Sequence, residues 1–306
     1  MEGEISGALE KSREAVCTVK QLTVLSGKGG TGKTTLVASL AVLAQKAVVV
    51  DCDVDAPDLH LLLEPTVIRK QEFKGSKLAV IDETKCIKCG LCLEECRFDA
   101  IKENIEVDPL ACEGCGVCEV ICPQGAITLR EQVAGQAFVS RTKYGFMAHA
   151  LLSPGQANSG KLVTLTRLFA NIIAEKEKSP LLIIDGPPGI GCPVIASVTG
   201  IDAGLIVAEP TMSGIHDLKR AWELLKHFSI PAFVCINKYD INEGNAKKIV
   251  DYSRLYGLEF LGEIPFDLVV IEAMLQGKPV VEFAPESKAA KEIVQIWNKL
   301  RLNLNL

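Results

Sequence analysis

The chain has 306 residues and a formal net charge of −5, and 48% of its residues are hydrophobic. This length accommodates one large α/β core with a small additional module, and the hydrophobic fraction excludes a disordered chain. No apolar run is long enough to span a membrane, and residues 1–20 lack the basic and then apolar layout of a secretion signal. The sequence therefore predicts a cytoplasmic protein with residues 1–20 as an N-terminal extension.

A glycine-rich loop follows the first predicted strand. Residues 21–26 alternate and carry β-branched side chains, residues 27–35 read GKGGTGKTT, and an apolar helix begins directly afterwards. This strand–loop–helix order is the context that a Walker A motif requires. The backbone N–H groups of such a loop surround phosphate groups at a helix N-terminus. The predicted nucleotide-binding residues of the loop are Gly27, Lys28, Gly29, Gly30, Thr31, Gly32, Lys33, Thr34 and Thr35.

The two lysines of this loop have different predicted roles. Lys33 is expected to reach the β- and γ-phosphates, and Thr34 to offer its hydroxyl to Mg²⁺. Lys28 resembles the additional lysine of the deviant Walker A ATPases, which include ParA, MinD, Mrp and the nitrogenase iron protein. The resemblance implies that Lys28 reaches across a dimer and neutralises charge on the transferred phosphoryl group. The alternative is a solvated loop lysine.

Carboxylates follow the second predicted strand. Residues 47–50 are apolar, and Asp51, Asp53 and Asp55 come next. Ligand chemistry in α/β proteins lies at the carboxyl ends of strands. The resemblance implies that Asp53 positions or activates the attacking water, and Asp51 is placed to help hold Mg²⁺. For Asp55 the alternative is a cap of the following turn, and helix capping is also the alternative for the whole cluster.

The same cysteine pattern then occurs twice. Four cysteines stand at spacings of three, three and four residues, and the second set follows the first after a short spacer. Zinc sites usually need one group of four ligands with a longer middle spacer, and disulfides are not expected in a reducing compartment. Runs of this spacing hold iron–sulfur clusters. The two sets are Cys86, Cys89, Cys92 and Cys96, and then Cys112, Cys115, Cys118 and Cys122.

The doubled run resembles the bacterial two-cluster ferredoxins, in which the fourth cysteine of each run ligates the other cluster because it lies too far round the turn to join its own three. The resemblance implies two [4Fe–4S] clusters, one held by Cys86, Cys89, Cys92 and Cys122 and the other by Cys112, Cys115, Cys118 and Cys96. Residues 78–130 contain ten acidic and five basic side chains. This acidic segment favours a basic protein partner over nucleic acid, although it can also serve solubility alone.

Two later strands end in polar residues. Residues 181–184 are apolar and precede Asp185, as in a Walker B motif, so Asp185 is expected to order Mg²⁺. The following GPPG is similar to switch II of MinD and Mrp. Residues 231–236 are followed by Asn237, and the resemblance implies that this asparagine recognises the adenine edge. A plain turn at the end of the strand is the alternative.

The remaining pattern predicts the fold. Strand cores near 181–185, 203–208, 231–236 and 259–264 alternate with helical segments at 160–177, 213–227, 243–256 and 286–301. Residues 131–160 are expected to form a hairpin that returns to the next helix. The prediction is an α/β P-loop NTPase with a mostly parallel sheet and helices on both faces, plus a small inserted α+β two-cluster ferredoxin domain. The ATPase domain would comprise residues 21–77 and 131–306, and the inserted domain residues 78–130.

The predicted function is a dimeric ATPase switch, built from two identical or two similar chains, whose nucleotide state is coupled to electron transfer through two [4Fe–4S] clusters. Its cofactors would be ATP or ADP and Mg²⁺ besides the clusters, and its partner a redox or iron–sulfur acceptor protein. The alternative is a carrier that delivers clusters, as Mrp-type proteins do. A MinD-type positioning protein is disfavoured, because the end RLNLNL offers one arginine and no basic amphipathic membrane anchor.

Overall fold

The computed structural model describes residues 19–156 and 158–306. Most of the predicted N-terminal extension, residues 1–18, lies outside this part of the chain. Within the described residues, nine strands form one sheet. They are β1 (Lys20–Leu25), β2 (Val48–Asp51), β3 (Thr66–Ile81), β4 (Ile127–Thr142), β5 (Gly145–Leu152), β6 (Leu181–Asp185), β7 (Ala203–Ala208), β8 (Ala232–Asn237) and β9 (Glu259–Ile264).

The sheet has the order β3-β4-β5-β2-β6-β1-β7-β8-β9. The seven strands from β5 to β9 in this order pair in parallel. β4 pairs antiparallel with both β3 and β5. The prediction of a mostly parallel sheet is confirmed, and the expected hairpin over 131–160 is formed by β4 and β5.

Helices cover both faces of the parallel part. The helices in the described residues are α1 (Lys33–Ala44), α2 (His60–Leu63), α3 (Leu91–Glu94), α4 (Val117–Ile121), α5 (Ser159–Lys176), α6 (Cys192–Val198), α7 (Met212–His227), α8 (Glu243–Leu255), α9 (Leu268–Leu275), α10 (Val280–Phe283) and α11 (Lys288–Asn303). A 3₁₀ helix spans Tyr239–Ile241. On one face, α1 packs with α10 and α11; on the other, α5 packs with α6 and α7 with α8.

Two hydrophobic cores result from this layering, one on each face of the sheet. The strands are apolar on both faces, which is typical of a buried parallel sheet. The terminal helix α11 contributes Ile293, Ile296, Trp297 and Leu300 to one core, and all four are buried. This helix corresponds to the helical segment predicted over 286–301.

The doubled cysteine runs lie between two long strands. β3 and β4 each have 16 residues and pair along almost their whole length, from Thr66 opposite Arg141 to Ile81 opposite Ile127. We call this pair the ribbon, and residues 82–126 beyond it the cysteine segment. The predicted domain boundaries, between 77 and 78 and between 130 and 131, fall within these continuous strands. The ribbon therefore joins the cysteine segment to the main sheet without a flexible linker.

A small core lies where the cysteine segment meets the ribbon. Its buried residues are Cys92 and Ile101 of the segment and Ala79 and Ile127 of the ribbon, and four other cysteines pack partly buried around them. The short helices α3 and α4 pack against each other, and a glycine with positive φ precedes each one, Gly90 at 84° and Gly116 at 82°. Two copies of one local structure thus correspond to the two cysteine runs.

Candidate nucleotide and cluster sites

The predicted nucleotide site lies at the carboxyl edge of the sheet. β1 is central, between β6 and β7, and the glycine loop runs from its end into α1. Asp51 and Asp185 end the adjacent strands β2 and β6, and are paired in register. Asn237 ends β8. Because parallel strands place their carboxyl ends together, five consecutive strands bring the predicted residues to one edge.

The glycine loop is held closely from the β8 side. The Asn237 side-chain amide donates a hydrogen bond to the backbone oxygen of Thr31 over 2.8 Å. Gly32 has φ of 85°, and a Cβ there would lie 2.2 Å from Asn237 Nδ2. Only glycine satisfies both the left-handed conformation and this approach. Asn237 therefore shapes the phosphate loop, while the predicted contact of its side chain with the base stays a prediction.

Lys33 and Asp185 form a buried ion pair of 2.5 Å. Burial disfavours the charged form of Lys33, but the carboxylates of Asp185 and Asp51 outweigh that effect and raise its pKa. Burial also raises the pKa of Asp51 well above its usual range, aided by the neighbouring charge of Asp185. Two buried carboxylates thus share one lysine, an arrangement that a divalent cation would complement.

Two buried oxygen atoms at this edge have no hydrogen-bond partner within the described residues: Thr31 Oγ1 and Asp185 Oδ2. Leaving a buried polar atom unpaired costs stability, so such atoms indicate an absent ligand. Burial raises the pKa of Asp185, and the nearby side chains of Lys33 and Thr34 offset only part of that rise. The oxygen donors fit Mg²⁺, which prefers carboxylate, hydroxyl and phosphate ligands.

The other predicted acids lie in the loop after β2. Asp51 accepts hydrogen bonds from the backbone N–H groups of Asp53 and Leu59, at 3.0 and 3.2 Å, and so shapes that loop. The Asp53 carboxylate accepts from Ala56 N over 3.3 Å, and burial raises the pKa of Asp53. Asp53 lines the nucleotide cavity, whereas Asp55 is exposed and does not line it.

The glycine loop lines a cavity of about 390 Å³. The cavity extends from Lys28 and Asp53 past Asn237 to an apolar wall that includes Pro265 and Phe266. Such a cavity, with phosphate-loop groups at one end and apolar groups at the other, can hold a nucleoside triphosphate. Sequence reasoning missed the apolar wall, because the residues after β9 carry no motif.

Sequence reasoning also missed Glu209, which follows β7 directly. Its carboxylate pairs with Lys28 at 2.9 Å and with Lys238 at 2.7 Å. Burial opposes the charged form, yet these two lysines lower the pKa of Glu209. The position was open to prediction. Glu209 follows the carboxyl end of the predicted strand 203–208, and Asp51 and Asp185 occupy the corresponding ends of their own strands.

The cysteines line two separate small cavities. Cys86, Cys89, Cys92 and Cys122 line the first. Cys112, Cys115, Cys118 and Cys96 line the second, together with Cys92. The structure thus brings together the two sets that the crossed pattern predicts, with the fourth cysteine of each run beside the other three.

Local interactions in the cysteine segment suit thiolate ligands. Backbone N–H groups donate to sulfur at Cys86, from Lys88 over 3.4 Å, and at Cys122, from Ala126 over 3.3 Å. The bond from Ala126 lowers the pKa of the Cys122 thiol. Among residues 19–156 and 158–306, no three His, Cys, Asp or Glu side chains converge on a single metal ion. A cluster of several iron atoms differs from a single ion, because it binds ligands that stand further apart.

A family model for the CobQ/CobB/MinD/ParA nucleotide-binding domain matches residues 22–280. The chain belongs to this family. The match confirms the predicted relationship to ParA and MinD, and it implies ATP or ADP with Mg²⁺ as ligands. The closer likeness to the nitrogenase iron protein stays a prediction.

Curated relatives cover nearly the whole chain. An uncharacterized protein of Methanocaldococcus jannaschii is 34% identical over 290 residues, which are 92% of this chain and 97% of that protein. A protein of Pyrococcus abyssi named iron-sulfur cluster carrier protein is 26% identical over 302 residues, covering 92% of this chain and 85% of its own length.

Solved structures confirm the fold. The septum site-determining protein MinD of Pyrococcus horikoshii, complexed with Mg-ADP, matches with a TM-score of 0.57 at 19% identity, covering 92% of this chain and 96% of its own. The ATP complex of Cyanothece McdA(D38A) matches with a TM-score of 0.58 at 17% identity, covering 94% and 97%. No helix in the described part of the chain has the length and apolar character to cross a bilayer.

Proposed function

We propose that this chain is an ATP-hydrolysing iron–sulfur protein that carries clusters to acceptor proteins. The observation that carries the proposal is the joining of two sites by one ribbon. A nucleotide cavity with buried unpaired oxygens lies at the sheet, and eight cysteines line two cavities beyond the sheet's antiparallel edge. The relatives named as iron-sulfur cluster carriers support delivery of clusters as the purpose.

The positions of the side chains around the cavity support the nucleotide-binding part of the proposal. Lys33 and the N–H groups of the glycine loop would bind the β- and γ-phosphates, with Thr34, Asp185 and Asp51 around Mg²⁺. Bound Mg²⁺ would neutralise phosphate charge. Asp53, half-buried in the same cavity, would orient the attacking water. Lys28 would act across a dimer of two identical or two similar chains.

The cluster half follows from the two cavities. Cys86, Cys89, Cys92 and Cys122 would hold one [4Fe–4S] cluster, and Cys112, Cys115, Cys118 and Cys96 the other. When bound, the clusters supply redox chemistry and transferable iron and sulfide. Residues 78–130 would then be an inserted ferredoxin domain, with the outer half of the ribbon as part of it.

Electron transfer is the second candidate function. The number of ligands favours this function. Four cysteines for each cluster suit a cluster that stays bound better than a cluster that is released to an acceptor. The acidic balance of residues 78–130 also suits docking to a basic redox partner. ATP would then gate or drive the electron flow.

A labelled-iron experiment separates the two functions. Anaerobic protein loaded with ⁵⁵Fe is mixed with an apo-acceptor in the presence of ATP or ADP. The carrier proposal expects label to move to the acceptor faster with ATP, leaving the donor empty. Retention of label, with ATP-dependent reduction or oxidation of a partner protein, would instead support electron transfer. Retention of the label without ATP-dependent reduction or oxidation of a partner protein would refute both the carrier function and the electron-transfer function.

A further inference from the structure

The ion-pair group formed by Lys28, Glu209 and Lys238 lies beside the glycine loop, and of its three residues only Lys28 has a role in the nucleotide binding proposed above. The Glu209 carboxylate forms ion pairs with the ammonium groups of Lys28 at 2.9 Å and Lys238 at 2.7 Å, and the Glu209 side chain is only 12% exposed. Lys28 lines the nucleotide cavity, but Glu209 is not among the lining residues. The ammonium of Lys28 is therefore held by a carboxylate outside the phosphate region.

Glu209 is fixed in place, whereas Lys28 can move. The backbone oxygen of Glu209 accepts from Thr211 N over 2.8 Å, and a Cβ on Gly214 would lie 2.3 Å from the same oxygen. The turn between β7 and α7 is thus tightly packed. The Lys28 side chain is 38% exposed, and its long stem can swing.

Release of Lys28 would not leave Glu209 without a cation. Lys238 also donates to the backbone oxygen of Gly30 over 3.1 Å, so it stays anchored between Glu209 and the glycine loop. A buried carboxylate with no partner is costly, and the second lysine removes most of that cost. A triphosphate, with several negative charges, can therefore compete for Lys28.

We propose that Glu209 is a positioning residue that holds Lys28 away from the phosphates in the nucleotide-free chain and releases it when a triphosphate binds. This inference rests on the proposed ATPase activity. It adds a selective step to that activity: a diphosphate offers less charge and leaves more of the Lys28–Glu209 pair intact. Glu209 thereby favours the triphosphate as the ligand that frees Lys28.

The test replaces Glu209→Gln, which keeps the shape of the side chain and removes its charge. We expect KM for ATP to fall about fivefold with a smaller change in kcat, because a charge-assisted hydrogen bond no longer has to break when ATP binds. Without turnover, the preference for the triphosphate is expected to rise about threefold, because in the unsubstituted chain mainly the triphosphate has to break the Lys28–Glu209 pair and its affinity therefore gains more than that of ADP. This preference is the ratio of the dissociation constants of ADP and a non-hydrolysable ATP analogue. Glu209→Asp, which retains the charge, should resemble the unsubstituted protein.

Three comparisons decide the outcome. In a Lys28→Ala background, Glu209→Gln should change neither the affinity ratio nor KM; an equal effect in both backgrounds would overturn the inference. Asp202→Asn, which breaks the exposed Lys20–Asp202 pair at 3.1 Å, is the matched control and should have no effect. A rise of KM for ATP in Glu209→Gln would also overturn the inference. Absence of turnover in the unsubstituted chain would instead refute the proposed ATPase.

Discussion

The nucleotide site and the cysteine segment depend on different kinds of core. The nucleotide site stands on a parallel sheet whose two faces are covered by helices, with large apolar cores on each side. The cysteine segment shares with the end of the ribbon a core of four buried residues, one of them Cys92, and four other cysteines pack around it. Apolar burial stabilises the first region without a ligand, whereas a segment of this size needs metal or disulfides.

The ribbon makes this difference important for function. β3 and β4 belong to the main sheet at one end and reach the cysteine segment at the other. Paired backbone therefore joins the two regions, and the proposed coupling between them would run along it. The predictions below separate the two regions and then examine the joint between them.

Removal of iron has the largest expected effect. Chelation under reducing conditions should abolish hydrogen-exchange protection within residues 82–126, because the small core there cannot replace the lost ligand bonds. Protection of the buried strand β6 should persist. Hydrogen exchange followed by mass spectrometry measures both. Loss of protection in both regions at the same chelator concentration would show that they do not fold separately.

Lys33→Ala should weaken ATP binding at least about 100-fold, because the substitution removes charge-assisted hydrogen bonds to phosphate. It also leaves Asp185 without its cation, which should cost about 3 kcal/mol of folding free energy. Iron content per chain should not change. Calorimetry, thermal unfolding and iron analysis measure the three effects. Lys46→Ala, an exposed lysine just beyond α1, is the control and should bind ATP normally.

Paired cysteine substitutions test the crossed ligand sets. The unsubstituted chain should hold about eight iron atoms. Replacing both Cys86 and Cys122 with serine should remove one cluster and leave about four iron atoms, because both cysteines are predicted ligands of the same cluster. Replacing Cys112 and Cys122 should remove both clusters. The reverse result would show ligation within each run. Cys192→Ser, an exposed cysteine outside the runs, should retain all iron.

Asn237→Ala should weaken nucleotide binding about fivefold, because it removes the hydrogen bond that fixes Thr31 in the glycine loop. Fluorescence titration with ADP measures the change. Asn303→Ala removes a similar bond, 3.0 Å from its amide to the backbone oxygen of Lys299, on the terminal helix. That control should leave the affinity unchanged. An equal loss in both variants would contradict the role of Asn237.

The ring of His149 packs between the ribbon and α2. Substitution of His149 should have the smallest effect of the predicted changes. Its ring stacks on Phe138 of β4 at 5.0 Å and on His60 of α2 at 6.5 Å. Burial, together with the nearby His60, lowers the pKa of His149 from 6.5 to about 4. The folded chain therefore keeps His149 neutral while the unfolded chain binds a proton, so its contribution is present above pH 6.5 and is lost as pH falls towards 4.

His149→Phe should reduce this pH dependence, and the expected difference in unfolding free energy across the window is about 1 kcal/mol because the ring is only partly buried. Denaturant unfolding at several pH values measures it. His227→Gln removes an exposed histidine and should leave the pH dependence unchanged. Identical pH profiles for all three proteins would contradict the burial of His149.

The sequence predicted the parallel part of the sheet closely, for a physical reason. Buried strands are continuous apolar runs, and the predicted strands 181–185, 203–208 and 259–264 match β6, β7 and β9 to the residue. The ribbon was missed because its exposed strands have no such run: KQEFKGSK in β3 is mostly polar. α6, α9 and α10 were also not predicted, since short helices carry weak periodicity.

The candidate site was predictable where a motif fixes the spacing. The glycine loop, Asp51, Asp53, Asp185 and Asn237 all lie at one edge, as expected from strands that end together. Glu209 directly follows the predicted strand 203–208 and could have been predicted in the same way, whereas the apolar wall comes from a segment without a motif, so only the fold shows its proximity. The predicted cysteine sets line separate cavities, because the crossed arrangement follows from the spacing itself.

The most direct test of the account is an EPR measurement on anaerobically purified, chemically reduced protein with ADP or with a non-hydrolysable ATP analogue. The account predicts the signal of two reduced [4Fe–4S] clusters, with a line shape that changes between the two nucleotides. A preparation that binds ATP but shows no cubane signal would contradict the proposed iron–sulfur function. A cubane signal identical with both nucleotides would contradict coupling through the ribbon.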